Sequence, residues 1–210
     1  MVVLDSGAAV KARLVPLPKI SLPGLIALMA AVIVLGSLAA RGFSGPGWVL
    51  ASQNAWRFTA LTFFAALVAG PLGRLVPGLG RPAAAARHFG WGFCASCGVY
   101  LAVSLIYGPS AGGLLFAMSG AFIALVMAAA LVPGKPNSTG EAVRRTLLGL
   151  SAIYFWLCHA LTGLSHLSHP HRPDSFYGLS LSLMILALLI RFADACAAEW
   201  RRPLRRSMPA

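Results

Sequence analysis

The sequence predicts an all-α integral membrane protein, a bundle of about six transmembrane helices with both termini in the cytoplasm. Three observations predict it. Only 10% of the 210 residues are charged and 58% are hydrophobic, whereas a soluble domain carries roughly 25% charged residues. The apolar residues fall in runs of about 20, the length that crosses about 30 Å of hydrocarbon as a helix. The runs are continuous rather than alternating, which excludes a membrane β-barrel.

Residues 1–19 read as a basic cytoplasmic leader holding Lys11, Arg13 and Lys19. The six-helix domain is expected over 20–198. Its first run, Ile20 to Ala40, is longer than the 7–15-residue core of a signal peptide and so reads as a retained helix. A Gly/Pro turn at 42–47 leads to a second run from about Ala55 to Val76, closing on Gly70-Pro71-Leu72-Gly73-Arg74. The third run is Phe89 to Tyr107 and the fourth Gly113 to Val132, whose small residues Gly112, Gly113, Ala117 and Gly120 suit close helix packing. The fifth, Thr146 to Leu164, is followed by a His-rich loop, and the sixth runs from Phe176 to about Ala198. Residues 199–210 form a basic cytoplasmic tail.

Orientation follows from the basic residues. Of 17 Lys and Arg, 14 lie at the ends shared by the N-terminus, the second and fourth loops and the C-terminus; only Arg41, Arg57 and Arg172 lie opposite. The positive-inside rule puts the first set in the cytoplasm, as expected for a bacterial-type inner membrane protein. Interspersed between apolar runs, these cations suit a lipid bilayer with anionic headgroups; no nucleic-acid partner is expected. Arg191 and Asp194 stand at i, i+3 and are expected to pair.

Few residues offer chemistry. His159, deep in the fifth run, is the foremost candidate, because imidazole is the usual axial ligand of a b-type heme held between helices. The alternative is a neutral histidine bonded within the bundle. His166, His169, His171 and Asp174 in the loop between the last two runs can collect a transition metal such as iron or copper, or they form an ordinary polar loop. If the fifth helix continues, His166 shares a face with His159 at i, i+7, and the two imidazoles would line one edge of an outer heme pocket. His88 lies about 18 Å from the depth of His159 and reads as interfacial. Cys94 and Cys97 form a C-x-x-C inside an apolar run, where packing explains them better than redox chemistry.

The segment from Ser52 to Leu75 (SQNAWRFTALTFFAALVAGPLGRL), a basic loop, and then Arg87-His-Phe-Gly90-Trp resemble the ferric reductase-like transmembrane domain. The nearest relative in character is the heme-binding membrane subunit of the periplasmic methionine sulfoxide reductase system. The resemblance covers about 50–165. It implies a heme-binding core that moves electrons from quinol, or from a soluble or membrane redox partner, to an acceptor on the outer side. Four positions correspond to the family's heme histidines, and they hold Ala86, Tyr100, Thr146 and His159. The resemblance therefore implies at most one b-type heme, with His159 as a ligand and Tyr100 opposite. No flavin or nicotinamide domain accompanies it.

The leading expectation is accordingly a membrane electron-transfer subunit. Its alternative is a non-redox structural or partner-binding subunit of the same fold. A small transporter or metal-handling protein using the His-rich loop stands third.

Overall fold

The computed structural model describes residues 21–76, 78, 80–107, 111–132, 139–167 and 175–206. They form six helices: α1 (Leu22–Arg41), α2 (Gly45–Leu75), α3 (Gly80–Tyr107), α4 (Ala111–Leu131), α5 (Thr139–Leu167) and α6 (Ser175–Arg206). No strand occurs among the described residues. Five helices are long and apolar enough there to cross a membrane: Leu22–Arg41, Gly45–Leu75, Ala85–Tyr107, Thr139–Ser165 and Ser175–Trp200. In α4 the apolar helix described with its side chains is Met118–Leu131. The protein is thus a multi-pass, all-α membrane protein.

The helices begin where local chemistry permits. The Ser21 hydroxyl accepts from the Gly24 amide at 3.4 Å and Pro23 follows in the first turn, where its missing N–H costs nothing. The α1–α2 turn is tight enough to demand glycine twice. Gly42 ends α1 at φ 78°, and a Cβ at Gly47 would collide with the Gly42 carbonyl. This closeness lets α2 start ten residues before the apolar run expected at Ala55. α3, α5 and α6 likewise extend into flanking polar sequence, since helix ends need not be apolar once outside the hydrocarbon, whereas α1 and α4 keep close to their expected runs.

α2, α3, α4, α5 and α6 pack in a closed ring, each against the next and α6 back against α2, while α1 lies outside against α2 and α3. The ring is filled by Phe63, Phe93, Met127, Phe155 and Met184. A smaller cluster of Val34, Leu38, Ala51, Ala55 and Val103 joins α1 to it. Lipid tails solvate leucine as well as protein does, so dispersion and interhelical hydrogen bonds hold such a bundle; each bond contributes about 0.6 kcal/mol on average. Several are present: Asn54 Nδ2 donates to Ser37 Oγ at 3.0 Å, Thr62 and Ser96 hydroxyls meet at 2.9 Å, and Trp156 Nε1 donates to the Met184 carbonyl at 3.0 Å. The outward faces stay apolar, with Leu150, Ile153, Leu157 and Leu161 exposed on α5 and Leu186, Leu189 and Phe192 on α6. Lipid fits those faces.

Three arginines secure the end of the bundle that holds the α2 and α4 C-termini. Arg87 of α3 donates to the Leu131 carbonyl through both Nε, at 2.8 Å, and Nη2. Arg144 of α5 reaches the carbonyls of Ala130 and Val132 at 3.4 and 3.2 Å. Both satisfy carbonyls that a helix C-terminus leaves open and oppose its negative dipole end. The third, Arg74, grips Asp194 of α6, with Nε at 3.1 and 3.2 Å and Nη2 at 2.5 Å from its carboxylate. Arg191, at i, i+3 from Asp194, stays within reach of its charge and in addition donates to a carbonyl on α2, that of Leu67.

Candidate functional site

His159 stands eight residues before the end of α5 and is 1% exposed. Its ring is sandwiched: Trp56 stacks on it at 4.3 Å and 10°, and Phe63 at 5.2 Å and 17°. Trp56 and Phe63 are i, i+7 on α2 and so project from one face of that helix. Phe155, one turn before His159, packs edge-on against Phe93 at 4.8 Å, tying α5 to α3.

The imidazole tautomer follows from its partner. Nδ1 lies 2.8 Å from the Phe155 carbonyl, which can only accept, so Nδ1 carries the proton. Nε2 then presents a bare lone pair, and it has no hydrogen-bond partner although buried. A ring oriented by Nδ1–H to a backbone carbonyl, with Nε2 free, is the arrangement of a metal-ligating histidine.

Beside His159 lies a cavity of about 20 Å³, walled also by Trp56, Thr59, Cys97, Tyr100, Tyr154 and Cys158. Tyr100 therefore reaches the same cavity as His159, with its ring 5.3 Å from Trp56. The volume decides what fits. A body the size of one water needs roughly 10–15 Å³ by the same measure, so little more than a water or an ion can enter. The donor set suits a heme iron through His159 Nε2, but a porphyrin does not fit unless Trp56 and Tyr100 move.

Ala86 and Thr146, the two other positions where the resemblance would expect heme histidines, are packed against protein or exposed. Ala86 abuts α2, where a Cβ added to Gly70 would sit 3.7 Å from its own Cβ. One turn on, Leu131 of α4 presses against Gly90, within 3.1 Å of where a Cβ would be. Thr146 is exposed and its hydroxyl donates to the Ala142 carbonyl at 3.1 Å. His88 is exposed on α3.

The His-rich loop falls largely outside the described residues: His169, His171 and Asp174 do. The backbone of α5 continues through His166, giving it the i, i+7 relation to His159, but its side chain is outside the description. Among the described residues no three His, Cys, Asp or Glu side chains stand close enough to hold a metal. Cys94 approaches the Ala124 carbonyl at 3.7 Å and Cys97 is buried; both thiols are free.

Sequence reasoning overlooked Trp56 and Phe63. Their signal was present as two aromatics seven residues apart on a helix facing the histidine's helix. It also overlooked Arg57, whose Nη1 donates to Asn54 at 3.2 Å and whose guanidinium lies 5.4 Å over the Phe176 ring. That cation–π contact joins α2 to the start of α6.

No protein-family model matches the chain, and no curated protein or solved structure is significantly similar to it.

Proposed function

We propose that this chain is an inner-membrane subunit of ferric reductase-like layout that serves as a structural or partner-binding scaffold, its interior filled by side chains instead of heme. The filled slot supports this reading: Trp56 and Phe63 cover both faces of His159, and about 20 Å³ remains beside it. The packing of Ala86 toward Gly70 and of Leu131 on Gly90 supports it at the other end. In this reading α4 completes six spans, and the arginine-bearing ends face the cytoplasm.

A second reading is favoured by one observation, the bare Nε2 of His159. Under it the chain is an electron-transfer subunit holding one b-type heme through His159, with Tyr100 opposite, and bound heme would carry electrons from quinol or a partner toward an outer acceptor.

A reduced-minus-oxidised difference spectrum of the detergent-purified protein, expressed with ample heme, separates the two. The scaffold reading expects no Soret or α band. A stoichiometric b-type spectrum that His159→Ala abolishes would overturn it in favour of electron transfer.

A further inference from the structure

The cavity beside His159 has a chemical character that packing alone does not use. One wall carries an imidazole that is 1% exposed, with Nδ1 tied to the backbone and Nε2 unpartnered. The same cavity is lined by two thiols, Cys97 of α3 and Cys158 of α5. The other lining groups are aromatic, aliphatic or hydroxyl; no carboxylate is among them.

These surroundings select sharply among ligands. A hard hydrated cation finds neither carboxylates nor room for its water shell. A divalent ion on one thiolate and one neutral imidazole would leave net positive charge in an apolar interior, at a cost of several kcal/mol. A soft monovalent ion escapes both objections. Cu(I) prefers thiolate and imidazole, accepts two donors in a line, and displaces one thiol proton to solvent. The product, thiolate–copper–imidazole, is neutral, and no electron moves. Two donors are also consistent with the absence of a three-ligand group among the described residues.

We propose that His159 Nε2 and Cys97 Sγ form a buried site for one Cu(I)-class ion, bridging α5 to α3. Cys97 is chosen over Cys158 because it comes from α3, across the ring interior from α5, where Phe93 and Phe155 meet edge-on. Cys158 precedes His159 directly and leaves the helix about 100° away. The cavity, at about 20 Å³, has room for one ion and no more. This site rests on the cavity chemistry alone and stands apart from the scaffold reading.

The test uses the full chain in detergent, with exposed Cys196 replaced by serine in the parent to remove adventitious binding. Cu(I) alone is titrated anaerobically against a chromophoric Cu(I) chelator. The parent should retain one equivalent. His159→Ala and Cys97→Ser should each weaken retention at least about 100-fold, and Cys158→Ser by less than about threefold. Copper-edge X-ray absorption on the parent, which needs no variant at the site, should show one sulfur and one imidazole nitrogen. No copper retained, retention unchanged in His159→Ala, or an all-sulfur sphere each overturns the site. Loss in Cys158→Ser but not in Cys97→Ser overturns the assignment of Cys97.

Discussion

Arg191 of α6 donates its Nε to the carbonyl oxygen of Leu67 on α2 at 3.3 Å, and Leu67 is four residues before Pro71. Proline has no N–H, so the Leu67 carbonyl lacks its usual helical partner. α2 nevertheless runs through Pro71 to Leu75, and the arginine of another helix supplies the missing donor. In a membrane a freed carbonyl must be re-satisfied within the protein.

The two residues should therefore be energetically coupled. Arg191→Met should cost about 2 kcal/mol in the natural background, the loss of a charged hydrogen bond. In the Pro71→Ala background, where the helix regains its own amide, the cost should fall by about 1 kcal/mol or more. Unfolding midpoints of the four proteins in one detergent give the cycle. Strictly additive effects would show that Arg191 serves some other partner.

The pairing also shows which features the sequence carried and which it did not. The all-helical, multi-pass character was legible because hydrocarbon demands long apolar runs, and they stand out against only 10% charge; the helix starts were not, because polar flanks continue α2, α3 and α5 beyond their apolar runs. His159 was legible because a histidine in such a run is conspicuous. The Arg74–Asp194 grip and the Arg191–Leu67 bond were not, since they link residues 120 and 124 positions apart. Local spacing offered Arg191 and Asp194 to each other at i, i+3, and tertiary packing added partners that no helical period encodes. Trp56 was masked for another reason: an aromatic in a transmembrane run is unremarkable until the facing helix is known.

Topology is open to direct test. Reporter fusions at Lys135 and at the C-terminus should report the cytoplasm, and fusions at Pro109 and His169 the opposite side, because 14 of 17 basic residues lie on the first set of ends. A cytoplasmic signal at His169 would reverse the α5–α6 hairpin and remove the outer placement of the His159 cavity.

Trp56 should be the main plug of the cavity. Trp56→Ala removes the ring stacked on His159 at 4.3 Å and should destabilise the bundle by about 3–5 kcal/mol. If the space stays open, added indole should recover part of the lost unfolding temperature, as apolar ligands enter engineered voids. Thermal unfolding in detergent with and without indole is the measurement. A variant that loses stability but ignores indole would mean that the ring of helices has closed over the gap.

The bare Nε2 of His159 leads to the most discriminating substitution, His159→Phe. Phenylalanine preserves a flat ring between Trp56 and Phe63 and is larger by one ring atom, for which the adjoining cavity has room. It loses the Nδ1 bond to the Phe155 carbonyl, but that oxygen is also the natural acceptor of the His159 backbone amide one turn on, so it keeps a donor. What disappears is a buried acceptor without a partner, a defect that costs roughly 1–3 kcal/mol. Protein purified free of metal and heme should therefore be as stable with phenylalanine as with histidine, or more stable by about 1–2 kcal/mol. Protein carrying a ligand on Nε2 should behave the other way: the natural chain gains stability from that ligand and His159→Phe cannot. Unfolding midpoints of both proteins, each with and without added Cu(I), test this directly. Destabilisation by His159→Phe even in stripped protein would mean that Nε2 already has a partner, such as an ordered water in the adjacent cavity.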